Sequence, residues 1–284
     1  MNTHLTFHNF HFLKGLFNLM TCCKFYNALV LNTIFLCLLP FSVQAKENAV
    51  DVYFIFGQSN ACGSASYNEN LKLSSNNQLY IWNSATLDIE PLVFGENHFL
   101  GGNNDETEFG PESGLALMVN KKSIIAKVCH GATSLRDRWN PNNGDLSRRA
   151  VATIKNVLDY LNRNNIKYEV KGLLWMQGES DATKEIPTAD VYYKNSLSSL
   201  FKLFRDVYNF PIVIAEIKIG PSKRWFFPHQ DLVNNQFFEI SQHMENVIII
   251  KTSNLSQDDD LHFDNTENGI IKLGAEFFNA VSRY

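Results

Sequence analysis

The chain has no strong excess of either charge. Twenty-nine acidic residues against 25 basic ones leave a formal charge of −4 over 284 residues, and no basic run appears. That balance removes the electrostatic reason to expect a nucleic-acid partner. Repeat periods and low-complexity tracts are also lacking, so neither a solenoid nor a long linker is expected. The apolar run at the amino terminus, Ala28 to Phe41, is about 14 residues long and is interrupted by Asn32 and Thr33. It falls short of the roughly 18 to 20 residues that cross a bilayer. Cysteine is scarce: there are five, too few for a disulfide scaffold.

The short apolar run follows Lys24 and leads into Ser42-Val-Gln-Ala45, which has small residues where a signal peptidase reads. Residues 1–45 are therefore expected to be a secretory signal, with Met20 an alternative start, and 46–284 one catalytic domain. No stable membrane association is expected after cleavage. Cys22, Cys23 and Cys37 would leave with the signal, so only Cys62 and Cys129 stay. The preferred reading makes them two small buried residues, and the alternative is a single bridge.

From residue 49 onward, short β-rich runs alternate with longer helical patterns. Strands are expected at Val50–Phe56, Gln78–Trp82 (half of a hairpin reaching Val93), Ser123–Cys129, Gly172–Met176, Pro211–Ile217 and Val247–Lys251. Helices are expected at Pro111–Asn120, Leu146–Asn164, Thr188–Tyr208, His229–Met244 and Thr266–Val281. In the second of these, Ala150, Ile154, Val157, Leu158 and Leu161 share one face. Near-continuous apolar strands separated by helices imply an α/β fold with a parallel sheet covered on both faces.

In such a sheet, ligands bind beyond the carboxyl ends of the strands. Four polar clusters fall there: Gly57-Gln-Ser-Asn60, His130-Gly-Ala-Thr-Ser134, Gln177-Gly-Glu-Ser-Asp181 and Asp258-Asp-Asp-Leu-His262. Together they hold the parts of a nucleophilic hydrolase. A serine hydroxyl needs an imidazole to take its proton and an acid to orient that imidazole. Ser59 is the candidate nucleophile and His262 the base, ahead of His98, His130, His229 and His243. Asp259 and Glu179 are both candidates for the orienting acid. Asp259 is preferred because one loop then carries both partners. The acidic run 258–260 also admits a solvated or calcium-binding reading. The backbone N–H groups of Ser59 and Gly131, with the Gln177 amide, are assigned to an oxyanion hole. Gln58 and Asn60 are assigned to bracing the nucleophile turn. Trp139, Trp175 and Trp225 are candidates to stack on sugar faces. Trp139 is preferred because it sits in a polar loop.

In their order, Gly57-Gln-Ser-Asn60, Gly131-Ala-Thr-Ser134 with Trp139, Trp175-Met-Gln-Gly-Glu-Ser-Asp181 and Asp259-x-x-His262 resemble the SGNH hydrolases. The similarity is to their sialate O-acetylesterase-like branch, the sixth carbohydrate esterase family. Phe109-Gly-Pro-Glu-Ser113 is similar to a segment of the same branch. The resemblance covers about Asp51 to the last helix. It implies a flavodoxin-like three-layer sandwich with a central parallel sheet. It also implies metal-free, cofactor-free removal of acetyl groups from an O-acetylated carbohydrate, and it includes members thought to use a glutamate at the position of Glu179. One residue departs from the pattern, since Ala132 stands where the family has a second glycine. The alternatives in other classes are an idle sugar-binding protein on the same fold and a general short-chain esterase or lipase. The polar character of Gly95–Glu108 speaks against a lipase lid.

Overall fold

The structure, a computed structural model, describes residues 49–63, 65–66, 78–94, 96–97, 108–184 and 189–283. The expected signal segment and most of the polar Gly95–Glu108 loop lie outside the described residues. Val50–Tyr284 form one compact unit.

Chain order begins with β1 (Val50–Gly57), the short helix α1 (Ser59–Cys62), β2 (Ala65–Ser66), β3 (Leu79–Asn83), β4 (Asp88–Pro91) and β5 (Glu108–Phe109). Next come α2 (Glu112–Met118), β6 (Ser123–Cys129), α3 (Asp145–Arg163), β7 (Tyr168–Met176) and a short 3₁₀ turn at Ser180–Ala182. The chain closes with α4 (Ala189–Arg205), β8 (Ile212–Ala215), α5 (Gln230–His243), β9 (Val247–Ile250) and α6 (Ile270–Val281). The expected elements all occur, most with ends moved by a few residues. Strand β7 begins four residues early, at Tyr168, and the last helix starts at Ile270, after the turn held by Asp264 and Thr266.

Seven strands make the main sheet in the order β4-β3-β6-β1-β7-β8-β9. All neighbours are parallel except the β3–β4 hairpin. Reading from β6 to β9, the chain order is second, first, third, fourth, fifth: the flavodoxin-like winding. All eight residues of β1 are buried, because helices cover both faces of its apolar run. Helix α2 packs on α6 in one layer, while α3 touches α4 and α4 touches α5 in the other. The expected apolar face of α3 is the buried one.

The order of strands reverses at β1, between β6 and β7, the kind of switch point beyond whose carboxyl edge ligands bind in open α/β sheets. Gly57 ends β1 with φ +151°, and a Cβ on it would collide with the Met176 carbonyl of β7. Only glycine lets the chain leave the strand this tightly and begin α1 at Ser59.

Candidate active site

Ser59 stands at the first position of α1, directly above the end of β1. His262 comes from the loop after β9, 203 positions later, and its Nε2 lies 3.0 Å from the Ser59 Oγ. The other ring nitrogen, Nδ1, lies 3.0 Å from Asp259 Oδ2. A carboxylate accepts, so Nδ1 carries the proton and Nε2 is left to accept from the serine hydroxyl. Asp259 Oδ1 accepts from the backbone N–H groups of Leu261 (2.9 Å) and His262 (2.7 Å). Partial burial pulls the Asp259 carboxyl upward, but those N–H groups and His262 outweigh it and hold it below the usual carboxylate range.

Asn60 fastens this loop to the nucleophile. Its amide donates to Glu179 Oε1 (2.8 Å) and to the Leu261 carbonyl (3.1 Å), while its oxygen accepts from Phe263 N–H (3.0 Å). One buried side chain thereby joins α1, the end of β7 and both sides of His262. Glu179 meets Asn60 rather than the imidazole, and its Oε2 has no hydrogen-bond partner among the described residues. Burial drives its pKa up, against the lowering effect of Asn60. Asp260, next to the acid of the relay, accepts from Ser222 N–H (2.9 Å) and fixes the loop from outside.

Gly131 borders the nucleophile, since a Cβ placed on it would lie 3.8 Å from the Ser59 Cβ. Ala132 follows at φ +54°, a left-handed conformation that costs an alanine more than the glycine of the related pattern. His130, the tempting competitor, turns Nδ1 to the Gly131 carbonyl at 2.9 Å.

Two candidate residues face inward in this structure. The Gln177 amide donates to the Thr133 carbonyl (2.9 Å) and to Asp181 (2.5 Å), so both its N–H groups are committed inside the protein. The sequence reading places this amide in the oxyanion hole; here it is bonded within the protein. Trp139 is fully buried, lies against Phe56 and Trp175, and donates to Thr133 Oγ1. The polar sequence around Trp139 concealed a ring that faces inward.

Residues 49–283 match the model of a family described as carbohydrate esterase, sialic acid-specific acetylesterase. The chain belongs to that family. As a member of the carbohydrate esterases it is a carboxylic ester hydrolase. Its fold is shared with a protein from Arabidopsis thaliana at 19% identity and TM-score 0.64, covering 83% of this chain and 98% of that one. NanS aligns at 14% identity and TM-score 0.53, over 76% of this chain and 80% of its own. A carbohydrate acetylesterase from Xanthomonas citri aligns at 16% identity and TM-score 0.51, over 82% of this chain and 56% of its own. No curated protein sequence matches the chain.

Three features of this carbohydrate esterase depart from or go beyond the preferred sequence reading. Cys62 and Cys129 are joined as a disulfide, with Cα atoms 5.3 Å apart, which replaces the preferred reading of two free buried thiols. It ties the last residue of α1 to the strand end that leads to Gly131. Lys127, wholly buried, donates to the Cys62 carbonyl (2.6 Å) and to the equally buried Glu112 (2.8 Å). The lone lysine in the run Ser-Ile-Ile-Ala-Lys-Val-Cys was the available signal, because a buried cation needs a buried partner. Asp181 is the third: it receives Gln177 and the Leu135 N–H, and burial pushes it up to about 7.

Proposed function

We propose that this esterase is exported and removes O-acetyl groups from a carbohydrate, with Ser59 as nucleophile, His262 as general base and Asp259 as orienting acid. The observation that carries the reading is the hydrogen-bonded line from Ser59 Oγ through His262 to Asp259, two contacts of 3.0 Å. It occurs in a chain of carbohydrate-esterase family. In this mechanism His262 Nε2 takes the hydroxyl proton as Oγ attacks the acetyl carbonyl. The carbonyl oxygen becomes an oxyanion facing the backbone N–H groups of Ser59 and Gly131. Collapse breaks the bond to the sugar oxygen, which leaves with the proton from His262. Water, deprotonated by the same imidazole, then releases acetate from Ser59 and restores the enzyme. Asp259 stays ionised throughout and stabilises the imidazolium.

Export is supported by the short apolar run before Ala45 and by the Cys62–Cys129 bridge, which belongs to an oxidising compartment. The deciding experiment combines a fluorophosphonate label with turnover of aryl acetate against aryl octanoate. Label on Ser59 and strong preference for acetate are expected. Ser59→Ala should keep the fold and lose about 10⁴-fold or more in turnover. Unlabelled Ser59 with near-normal turnover in that variant refutes the nucleophile. Acetate release from a panel of acetylated glycans then identifies the sugar.

A further inference from the structure

Of the three tryptophans that the sequence offered for sugar stacking, Trp139 and Trp175 are fully buried and Trp225 is 70% exposed. Trp225 lies in the loop between β8 and α5, beyond the carboxyl end of β8, at the same sheet edge as Ser59. Its loop is clamped to the relay. Gly220 N–H donates to the Asp260 carbonyl (2.7 Å) and Ser222 N–H to the Asp260 carboxylate (2.9 Å), one residue from Asp259. On its other side the loop holds the turn that follows Glu179. Lys184 N–H donates to the Phe226 carbonyl (3.1 Å) and His229 N–H to the Ala182 carbonyl (3.0 Å). The loop thus bridges the two segments that flank Ser59 and His262. It rises from β8, two strands from β1, a lateral step of about 10 Å.

The ring is held ready. Phe226 packs edge-on against it at 5.6 Å between centroids, and the Lys184 ammonium sits 5.1 Å from its centre. Among the described residues, no other large exposed apolar side chain is as exposed as Trp225. The half-buried Phe226 and Phe227 continue the aromatic surface beside it. An exposed indole with aromatic neighbours and one ammonium beside it suits a ligand with a C–H face and a polar rim. A pyranose ring is such a ligand.

We propose that Trp225 is a stacking platform for a sugar residue next to the acetylated one, so that the preferred substrate is an acetylated oligosaccharide or polysaccharide and not a free acetylated monosaccharide. The proposal rests on the carbohydrate-esterase reading above.

The test compares wild type, Trp225→Ala and Trp225→Phe on p-nitrophenyl acetate, acetylated methyl β-xyloside and acetylated xylotetraose. Trp225→Ala should raise KM about tenfold on the tetraose, as the loss of a stacked ring implies, with kcat unchanged. Its constants on the aryl acetate and the methyl xyloside should stay within twofold of wild type, and Trp225→Phe should recover most of the loss. A KM change below threefold on the tetraose overturns the proposal, as does an equal loss on the aryl acetate. A variant that changes the sedimentation coefficient but not KM marks Trp225 as a self-association contact and also overturns it. Binding is read separately by quenching of tryptophan fluorescence with xylotetraose in Ser59→Ala. This signal should disappear when Trp225→Phe is added, and its persistence counts against the platform. Wild type inactive on the aryl acetate would refute the esterase reading, while the fluorescence titration would still decide the platform.

Discussion

At His262 two carboxylates stand near one imidazole, and hydrogen bonding separates them. Asp259 reaches Nδ1 at 3.0 Å, while Glu179 spends Oε1 on Asn60. Replacing Asp259 by asparagine turns an acceptor into an amide whose N–H group favours the wrong imidazole tautomer, an effect worth up to about 10⁴-fold in turnover. Glu179→Gln keeps an oxygen for Asn60 and removes a costly buried carboxyl, so turnover is expected to stay within about tenfold and stability to be unchanged or higher. Measured on one acetyl ester at matched folded fraction, a larger loss in the glutamine variant would reverse these roles. The contact of Asp259 with His262 was legible because three-residue spacing needs only one loop. The place of Gln177 was not. A glutamine at a strand end reads as an oxyanion donor until its neighbours are known, and Asp181 and Thr133 are brought to it only by the fold.

The segment from Gln177 to Asp181 shows what an element stores when polar groups follow a buried strand. Gln177, Glu179 and Asp181 are all buried, and Gln58 joins them by accepting weakly from the N–H groups of Gly178 and Ser180. For Asp181, burial outweighs the hydrogen bonds from Gln177 and Leu135 and lifts the pKa to about 7. Its unfolded value is near 3.9, so the folded chain binds the proton more tightly. The associated stability is full below about pH 4 and is lost as pH rises through 7. Glu179 is shifted in the same direction. Wild type should therefore be more stable at pH 5 than at pH 8, by an amount on the order of a few kcal/mol. Asp181→Asn should flatten that difference, whatever it does to absolute stability. Urea midpoints at the two pH values are the measurement, and an undiminished difference in the variant would rule out Asp181 as the source. Strands and helices themselves were readable from alternating apolar and polar stretches. The Lys127–Glu112 pair was not, since 15 positions separate its members and only the fold closes the gap.

Across the whole molecule, the bridge between Cys62 and Cys129 joins the pieces that frame Ser59. Two cysteines 67 positions apart say little about pairing. Parallel register does: Gly57 pairs with Cys129 across β1 and β6, and α1 returns Cys62 over that strand end. A closed loop of that length confines the unfolded chain by about 4 kcal/mol in the loop-entropy treatment, and measured bridges commonly deliver about 2 to 4. The bridge holds α1 three residues after the nucleophile and β6 two residues before Gly131, so its loss should loosen the site as well as the fold. Protein recovered from an oxidising compartment is expected to begin near Lys46 and to contain no free thiol. Reductant should lower its urea midpoint by an amount matching about 2 to 4 kcal/mol and reduce acetyl-ester turnover. The Cys62→Ala/Cys129→Ala variant should show the same lower midpoint from the start and no further response to reductant. Two free thiols in the exported protein, or a wild-type midpoint indifferent to reductant, would remove the bridge from both the stability of this esterase and the argument for its export.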